Sequence, residues 1–484
     1  MPVAVRLRSV LAGFAILTAG ASIDLGGALT GDLTAALAGV AHAGPESDIA
    51  SAFDEGDPFD LHLTLDYRLD IRRSAIRREL AGRHEGTEAT DAVPVGDDLV
   101  FAGARHTIIP RLELGLARDL ALQVALPYVL SDQRELELDQ RDTPCVFGPG
   151  GTCVDRASSS TLADGLLPAA GFDGQNGGAG FAGDDPTVFR GPTRSGLDQI
   201  HVGLAWAPMN QARDATKPTW KVGVEGRFAI GKVARIDRDD LDGSTGVGRG
   251  VHELRLWTTY ARRIDWAEPS FEAWWMAPFA TTSDSPFASP GFGARNTSSS
   301  QEGGVRFGFD AYAVDQGDEG AKLSLGLGGK VIAHFEGRQY TEMWEPFALA
   351  GETTTGGPLV LDADPTMAGQ QPLDHPGITN IENYLELGGK VHGRIEVGKN
   401  LRITALVELG TETEHVITAT DAGVDLPPCD GGGGDCETTS DELVTPGTAE
   451  VNPLHVPLID LVGRRYHTDS VLTFVVGAHV QLLF

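Results

Sequence analysis

Between Phe59 and Arg72 the chain alternates without a break. Phe59, Leu61, Leu63, Leu65, Tyr67, Leu69 and Ile71 are apolar, and Asp60, His62, Thr64, Asp66, Arg68, Asp70 and Arg72 stand between them or follow. A period of two puts the first set on one face of a β-strand and the second set on the other. The fourteen residues exceed the usual soluble strand of roughly 5–6 and cover the roughly 9–11 that a tilted strand needs to cross a bilayer. In a soluble sandwich the polar face meets water; in a membrane barrel it lines a lumen while the apolar face meets lipid. One strand does not separate these readings, so the remaining segments decide.

The pattern returns along the chain. Ile108, Leu112, Leu114 and Leu116 alternate with Arg111 and Glu113, Ala117-Arg118-Asp119 makes a tight turn, and Leu120, Leu122, Val124, Leu126 and Tyr128 run back. Further segments centre on 200–206, 220–228, 254–260, 271–279, 305–309, 323–331, 385–395 and 401–407, and a last one ends the chain. That predicts an all-β, antiparallel transmembrane barrel of about 12 strands, an even number as bacterial single-chain barrels require. The connections alternate in length. Long ones are expected at 74–100, 132–196, 232–250, 282–301, 337–380 and 412–468, and short ones at 117–119, 209–218, 263–269, 315–320 and 399–400. Long extracellular loops opposite short periplasmic turns is the outer-membrane pattern. Trp206, Trp220, Trp266 and Phe271 fall near the short turns, where an aromatic girdle belongs.

The chain ends on another alternating strand. Phe474, Val476, Ala478, Val480, Leu482 and Phe484 share one face, and a terminal aromatic on such a strand resembles the closing strand of bacterial outer-membrane barrels. The resemblance implies that Phe474, Val476, Val480, Leu482 and Phe484 are read by the barrel-assembly machinery. At the other end, Arg6 and Arg8 precede an apolar run from Val10 to Ala21, followed by Ala19-Gly20-Ala21 and Ala41-His42-Ala43. This reads as a secretory signal peptide over 1–43, cleaved after Ala43, with cleavage after Ala21 the alternative. Residues 44–58 are then expected as a periplasmic N-terminal segment and 59–484 as the barrel.

A formal charge of −30 argues against nucleic acid as a partner. Hydrophobic residues make up 41%, too many and too regularly placed for an acidic disordered chain. The acids concentrate in the second, fifth and sixth long loops. They suit a cation-attracting vestibule or divalent bridging to lipopolysaccharide phosphates, and equally plain loop solubility. Membrane lipid and lipopolysaccharide are the expected surroundings, and nothing calls for a cofactor. Cys145 and Cys153 lie close together in the second long loop, and Cys429 and Cys436 in the sixth. Two close pairs in an exported chain predict two disulfides; their spacing is not that of a zinc ribbon or finger.

The parity of each strand assigns the lumen. Asp66, Arg68, Asp70, Arg111, Glu113, Glu225, Arg227, Glu253, Arg255, Glu386, Lys390 and Arg394 are expected to point inward. Their mixed signs fit a wet pore or a salt-bridged, blocked interior, and no ion selectivity follows from them.

The hairpin Arg111–Val129, with its Gly115-Leu-Ala-Arg-Asp-Leu120 turn and Pro127-Tyr128 at the end of the returning strand, resembles that of the proteobacterial meta-pathway phenol-degradation channel family. Ser195-Gly-Leu-Asp-Gln-Ile200 is similar to the opening of that family's next strand, and Gly243-Ser-Thr-Gly-Val-Gly248 to its Gly-rich upper loop. The resemblance implies an outer-membrane channel or transporter for small organic molecules. The long cysteine-bearing loops depart from the family's pattern. A barrel hydrolase is the contrasting class, yet the nearest polar collection is Tyr466-His-Thr-Asp-Ser470, which offers no His–Ser pair on adjacent strands. The expectation is a porin-like channel, not an enzyme, with a blocked structural or partner-binding barrel as the alternative.

Overall fold

Twelve long antiparallel strands close on themselves in the computed structural model, which describes residues 48–54, 57–80, 93–148, 151–288, 298–317, 320–362, 372–419 and 455–484. The strands are β1 (Leu61–Glu79), β2 (Val95–Ala117), β3 (Leu120–Ala125 continued by Tyr128–Leu138), β4 (Arg194–Leu197 continued by Gln199–Met209), β5 (Thr219–Ala229) and β6 (Val251–Ala261). They continue as β7 (Ala267–Thr281), β8 (Glu302–Asp315), β9 (Ala321–His334), β10 (Tyr384–Val397), β11 (Leu401–Glu412) and β12 (Tyr466–Leu483). Each pairs with the next, and β12 pairs with β1 from Leu483↔His62 up to Tyr466↔Arg78. Leu61 and Phe484 exchange backbone hydrogen bonds of 3.1 and 3.0 Å across that seam. Closure leaves no open edge in the barrel wall, the condition for crossing a bilayer as strands.

The alternation sorts the two faces. Leu63, Leu65, Tyr67 and Ile71 of β1 are outward and exposed, as are Leu325 and Leu327 of β9 and Val480 and Leu482 of β12. A belt of this kind is an exterior solvated by lipid, so the chain is an outer-membrane β-barrel. Trp206, Trp220, Trp266 and Phe271 are all exposed at the short-turn end, and Trp266 packs edge-on to Phe309 at 5.8 Å. Leu65→Arg should cost on the order of 2–4 kcal/mol if its position is mid-bilayer. Thr64→Arg, facing inward, should cost less. Unfolding of both variants in lipid vesicles checks the assignment, and equal sensitivity would refute it.

The strands run further at the long-loop end than their lipid-facing pattern suggests. β1 reaches Glu79, β2 begins at Val95 and β3 reaches Leu138, shortening the first two expected loops. The reason is a second interior. Above the charged lumen, Ile76, Leu99, Phe101, Leu136, Leu138 and Tyr466 pack with loop residues Leu166, Phe172, Phe189, Trp344 and Phe347 in one buried apolar cluster. The outer loops therefore fold inward as a cap with a core of their own. Cys145 and Cys153 are joined by a disulfide of 2.04 Å in the loop after β3. Cys429, Cys436 and the signal peptide expected over 1–43 lie outside the described residues.

The segment expected in the periplasm does not simply trail away. Ile49 and Ala50 are buried against Ala121, Ala205 and Ala207 near the short-turn end, and Ala52 pairs with Phe59 in a small ladder just before β1. Residues 48–52 lie across that mouth.

Candidate functional site

In a twelve-stranded barrel, wall side chains of opposite walls do not all meet across the axis, because diameter grows with strand number. The interior is instead spanned by long charged side chains. Nearest the short turns, Arg402 of β11 holds Asp48 at 2.6 Å, and Lys221 of β5 donates to the Asp48 carbonyl at 3.0 Å. The Ala50 amide donates to Glu113 of β2 at 2.7 Å, and Gln123 donates to the other oxygen of that carboxylate. Arg213 bonds Asp119 at 2.6 Å and the Ser51 hydroxyl at 2.8 Å. Burial pushes the Asp48 carboxyl up, but Arg402, His62 and Lys221 together hold it below its ordinary value of 3.8.

Midway along the axis the pairs run around the wall. Arg111 bonds Asp66 at 2.5 Å across β1 and β2, and Arg68 bonds Asp70 at 2.6 Å. Arg227 meets Glu225 at 2.7 Å. Arg255 meets Glu272 at 2.5 Å, and Arg306 reaches the same carboxylate at 3.5 Å. Lys330 of β9 sits between Glu386 of β10 and Glu408 of β11. Asp310 takes His392 at 2.6 Å and Arg394 at 3.5 Å.

Two cavities stack on this lattice. One, of about 330 Å³, is lined by Asp66, Arg68, Arg111, Arg306, Lys330, Lys390 and Glu408 with Gly308, Gly388 and Gly477. The other, of about 340 Å³, is lined by His62, Glu113, Lys221, Glu225, Arg255 and Trp257. Arg111, Thr259 and Glu272 border both and mark the narrow layer between them. Glycines keep the space open. Trp257 lies flat over Gly223 and Trp274 over Gly304, where an added Cβ would come within 2.3 and 2.4 Å of the indoles. Ring and backbone approach that closely only where the residue has no side chain.

The outer end is closed by the helix Trp344–Ala350 and its approach. Glu342 bonds Arg72 of β1 at 2.6 Å, and Arg72 also bonds Glu412 of β11. Burial pushes the Glu342 carboxyl up, yet the Arg72 guanidinium brings it below the usual range. Glu345 and Arg194 form a 2.7 Å pair whose side chains are both 2% exposed. The guanidiniums of Arg194 and Arg134 lie over the Trp344 ring at 4.8 and 5.8 Å, and Phe347 meets Tyr466 of β12 edge-on. The helix thus touches the wall on several sides.

The residues assigned inward by parity fall as follows. Asp66, Arg68, Arg111 and Lys390 border the first cavity and Arg111, Glu113, Glu225 and Arg255 the second. Asp70, Arg227, Glu386 and Arg394 belong to the ion pairs described, and Glu253 accepts from Arg249 at 2.7 Å and Gln199 at 2.9 Å. Lys330, Glu272, Arg306 and Glu408 complete the lattice and were not singled out in the sequence. Strand parity could have found them, since each alternates with lipid-facing neighbours. Of the hydrolase-like run, Tyr466 is fully buried in the cap's core and bonds Thr161, while His467 faces Glu79 at 3.3 Å.

No known protein-family model matches the chain, and no curated protein matches it in sequence. Solved structures do align. An outer membrane channel from Pseudomonas putida F1 shares 10% identity over 89% of this chain and 99% of its own, with a TM-score of 0.37. A FadL homologue of Pseudomonas aeruginosa shares 10% over 88% and 90%, at 0.29. The outer membrane protease OmpT of Escherichia coli shares 8% over 87% and 97%, at 0.26. Channels and a protease align alike, so these scores carry no argument about activity.

Proposed function

We propose that this chain is an outer-membrane channel for small solutes whose resting state is closed by its own segments. The carrying observation is what lies beyond the charged lumen at each mouth. Two solute-sized, polar cavities lined by strand residues lie along the axis; residues 48–52 cross the inner mouth, held by Glu113, Lys221 and Arg402, and the capping loops fill the outer end. A permanently filled barrel needs no such inserts, whereas a gated one does. The N-terminal segment is held by polar contacts and by two apolar side chains, Ile49 and Ala50, against the much larger apolar core of the cap, so it is the gate that moves more readily. The resemblance of the Arg111–Val129 hairpin to the phenol-degradation channel family agrees with small organic molecules as cargo. Within the same reading, Phe474, Val476, Val480, Leu482 and Phe484 form the assembly signal, and the acidic outer loops face lipopolysaccharide.

The test is single-channel recording in planar bilayers. Wild-type protein should be mostly silent with brief openings. Deleting residues 44–54, or combining Asp48→Asn with Arg402→Gln, should raise open probability by about an order of magnitude, since the ion pair and its attendant hydrogen bonds contribute on the order of 1.5–3 kcal/mol. The pH sign follows from Asp48. Its seated carboxyl ionises below 3.8, so the contribution is complete above that value and is lost as pH falls through the lower, seated one. Openings should therefore multiply only in strong acid, and not in the Asp48→Asn variant. The cap's continuous apolar core favours a second reading, a sealed barrel that presents its outer face to a partner. Folded protein that stays silent after both the deletion and disruption of the cap would decide for it.

A further inference from the structure

The cap holds a buried cation with no counter-ion among the described residues. Arg338 lies in the short strand Gly337–Gln339 of the loop between β9 and β10, and its side chain is among the buried charges at 3% exposed. Both terminal nitrogens, Nη1 and Nη2, are buried and have no hydrogen-bond partner among the described residues. Burial pushes the guanidinium down, to about 10. It is therefore still a cation at neutral pH, in surroundings where an uncompensated charge is strongly disfavoured.

Its neighbours share the same lack. Arg338 stands directly opposite Asn380 in the antiparallel ladder formed with Thr379–Ile381, and it is bridged on its other side to Ser299, at the end of the loop between β7 and β8. Residues opposite one another in register project to the same face. The Ser299 hydroxyl and Asn380 Oδ1 are buried without a partner among the described residues, as are the hydroxyls of the adjoining Ser300 and Thr341. His375 is close enough for Arg338 to depress its pKa, after burial, to about 3. Its Nδ1 accepts from the Gly377 amide at 2.9 Å, which places the ring proton on Nε2 as a donor. Hydroxyls can donate, and the Asn380 amide can present its N–H end by rotation. Backbone pairing thus sets Ser299 and Asn380 beside Arg338, whose guanidinium has no carboxylate partner among the described residues.

We propose that Arg338, with Ser299, Ser300 and Asn380, forms a buried site for a small oxyanion that ties the two capping loops together. The fork of Arg338 suits a carboxylate or a phosphate, because both present two oxygens to parallel N–H groups. Such an anion comes either free from the medium or on a lipopolysaccharide headgroup. The site is independent of whether the lumen conducts.

Thermal unfolding of the refolded full chain tests this. In detergent micelles at neutral pH and constant ionic strength, replacing chloride by inorganic phosphate or by acetate should raise the wild-type midpoint by several degrees, because a ligand that binds only the folded state stabilises it. Vesicles with and without lipopolysaccharide form the second arm, and stabilisation confined to them assigns the oxyanion to the lipid headgroup. In either arm Arg338→Met should abolish the response, and in chloride alone it should be at least as stable as wild type, since it removes an unpaired buried charge. A purely packing arginine would instead lose stability equally in every medium. Ser299→Ala with Ser300→Ala, a milder change, should reduce the response. No rise in either arm, or equal rises in wild type and Arg338→Met, overturns the site. If Arg338→Met does not fold, an undiminished response in the double serine variant overturns it instead.

Discussion

Trp344→Ala should unseat the outer cap. The indole is 2% exposed and sits at the centre of the cap's core, against the ring of Tyr340 at 4.9 Å and beneath two guanidiniums. Truncating a buried tryptophan costs about 3–5 kcal/mol, through lost transfer energy and the cavity left behind. Here the loss falls on a loop, not on the wall, whose hydrogen-bonded strands close independently of it. The barrel should remain folded while the cap loosens. Two measurements separate these levels: heat-modifiability on gels reports the barrel, and protease nicking between 340 and 378 reports the cap. Arg194→Ala should act in the same direction. It leaves Glu345 charged and buried without its partner, a change worth about 3–5 kcal/mol where one member of a buried pair is removed. In bilayers both variants should conduct more than wild type, most of all when residues 44–54 are also deleted. Unchanged proteolysis in both would show that the cap is not held by this helix.

The wall was legible because lipid leaves a strand little choice. Every second residue must be apolar over the bilayer's thickness, and β1, β9 and β12 write that rule out in Leu63–Leu65–Tyr67, Leu323–Leu325–Leu327 and Val480–Leu482–Phe484. Parity then marks the inward positions without any knowledge of the third dimension. What parity cannot supply is who meets whom. Lys390 is directly opposite Glu408 in register, yet Glu408 is taken by Lys330 from β9, two strands away. That choice depends on side-chain reach across Gly388, which is opposite Lys330 on the intervening strand and leaves room for its stem. The outer halves of β2 and β3 were missed for a related reason. There the inward face is apolar too, as at Leu99, Phe101, Leu136 and Leu138, so the alternation fades. The cap did leave one signal in the sequence, the run Met343-Trp-Glu-Pro-Phe-Ala-Leu-Ala350, an apolar stretch in what should be a solvated loop. Residues 48–52 left none, because Ile49 and Ala50 are too few to form a pattern.

Lys330→Met should both weaken the barrel and charge its lumen. The ammonium is 11% exposed and lies between Glu386 and Glu408, themselves 16% and 18% exposed. Without it Glu408, which borders the first cavity, and Glu386 beside it lose their shared counter-charge. Removing one partner from such an arrangement costs about 3–5 kcal/mol when the remaining charge stays buried. His334 lies 3.4 Å from Glu386 and does not reach Glu408 among the ion pairs of the described residues. Changing Glu386 and Glu408 to Gln in the same protein should recover much of the loss, because the unmatched charge is removed while the shape is kept. The electrical consequence has a definite sign. Fixed negative charge in a confined path concentrates cations, so in the background lacking residues 44–54 the reversal potential under a salt gradient should move toward cation preference. Neutralising Arg68 and Arg111 should move it the same way, and neutralising Asp66 and Asp70 the opposite way. All three shifts should shrink toward 1 M salt, where the Debye length is about 3 Å. If the deletion variant conducts and its reversal potential ignores Lys330, Arg68, Arg111 and both aspartates alike, solute does not pass through the first cavity, and the path must run elsewhere in the barrel.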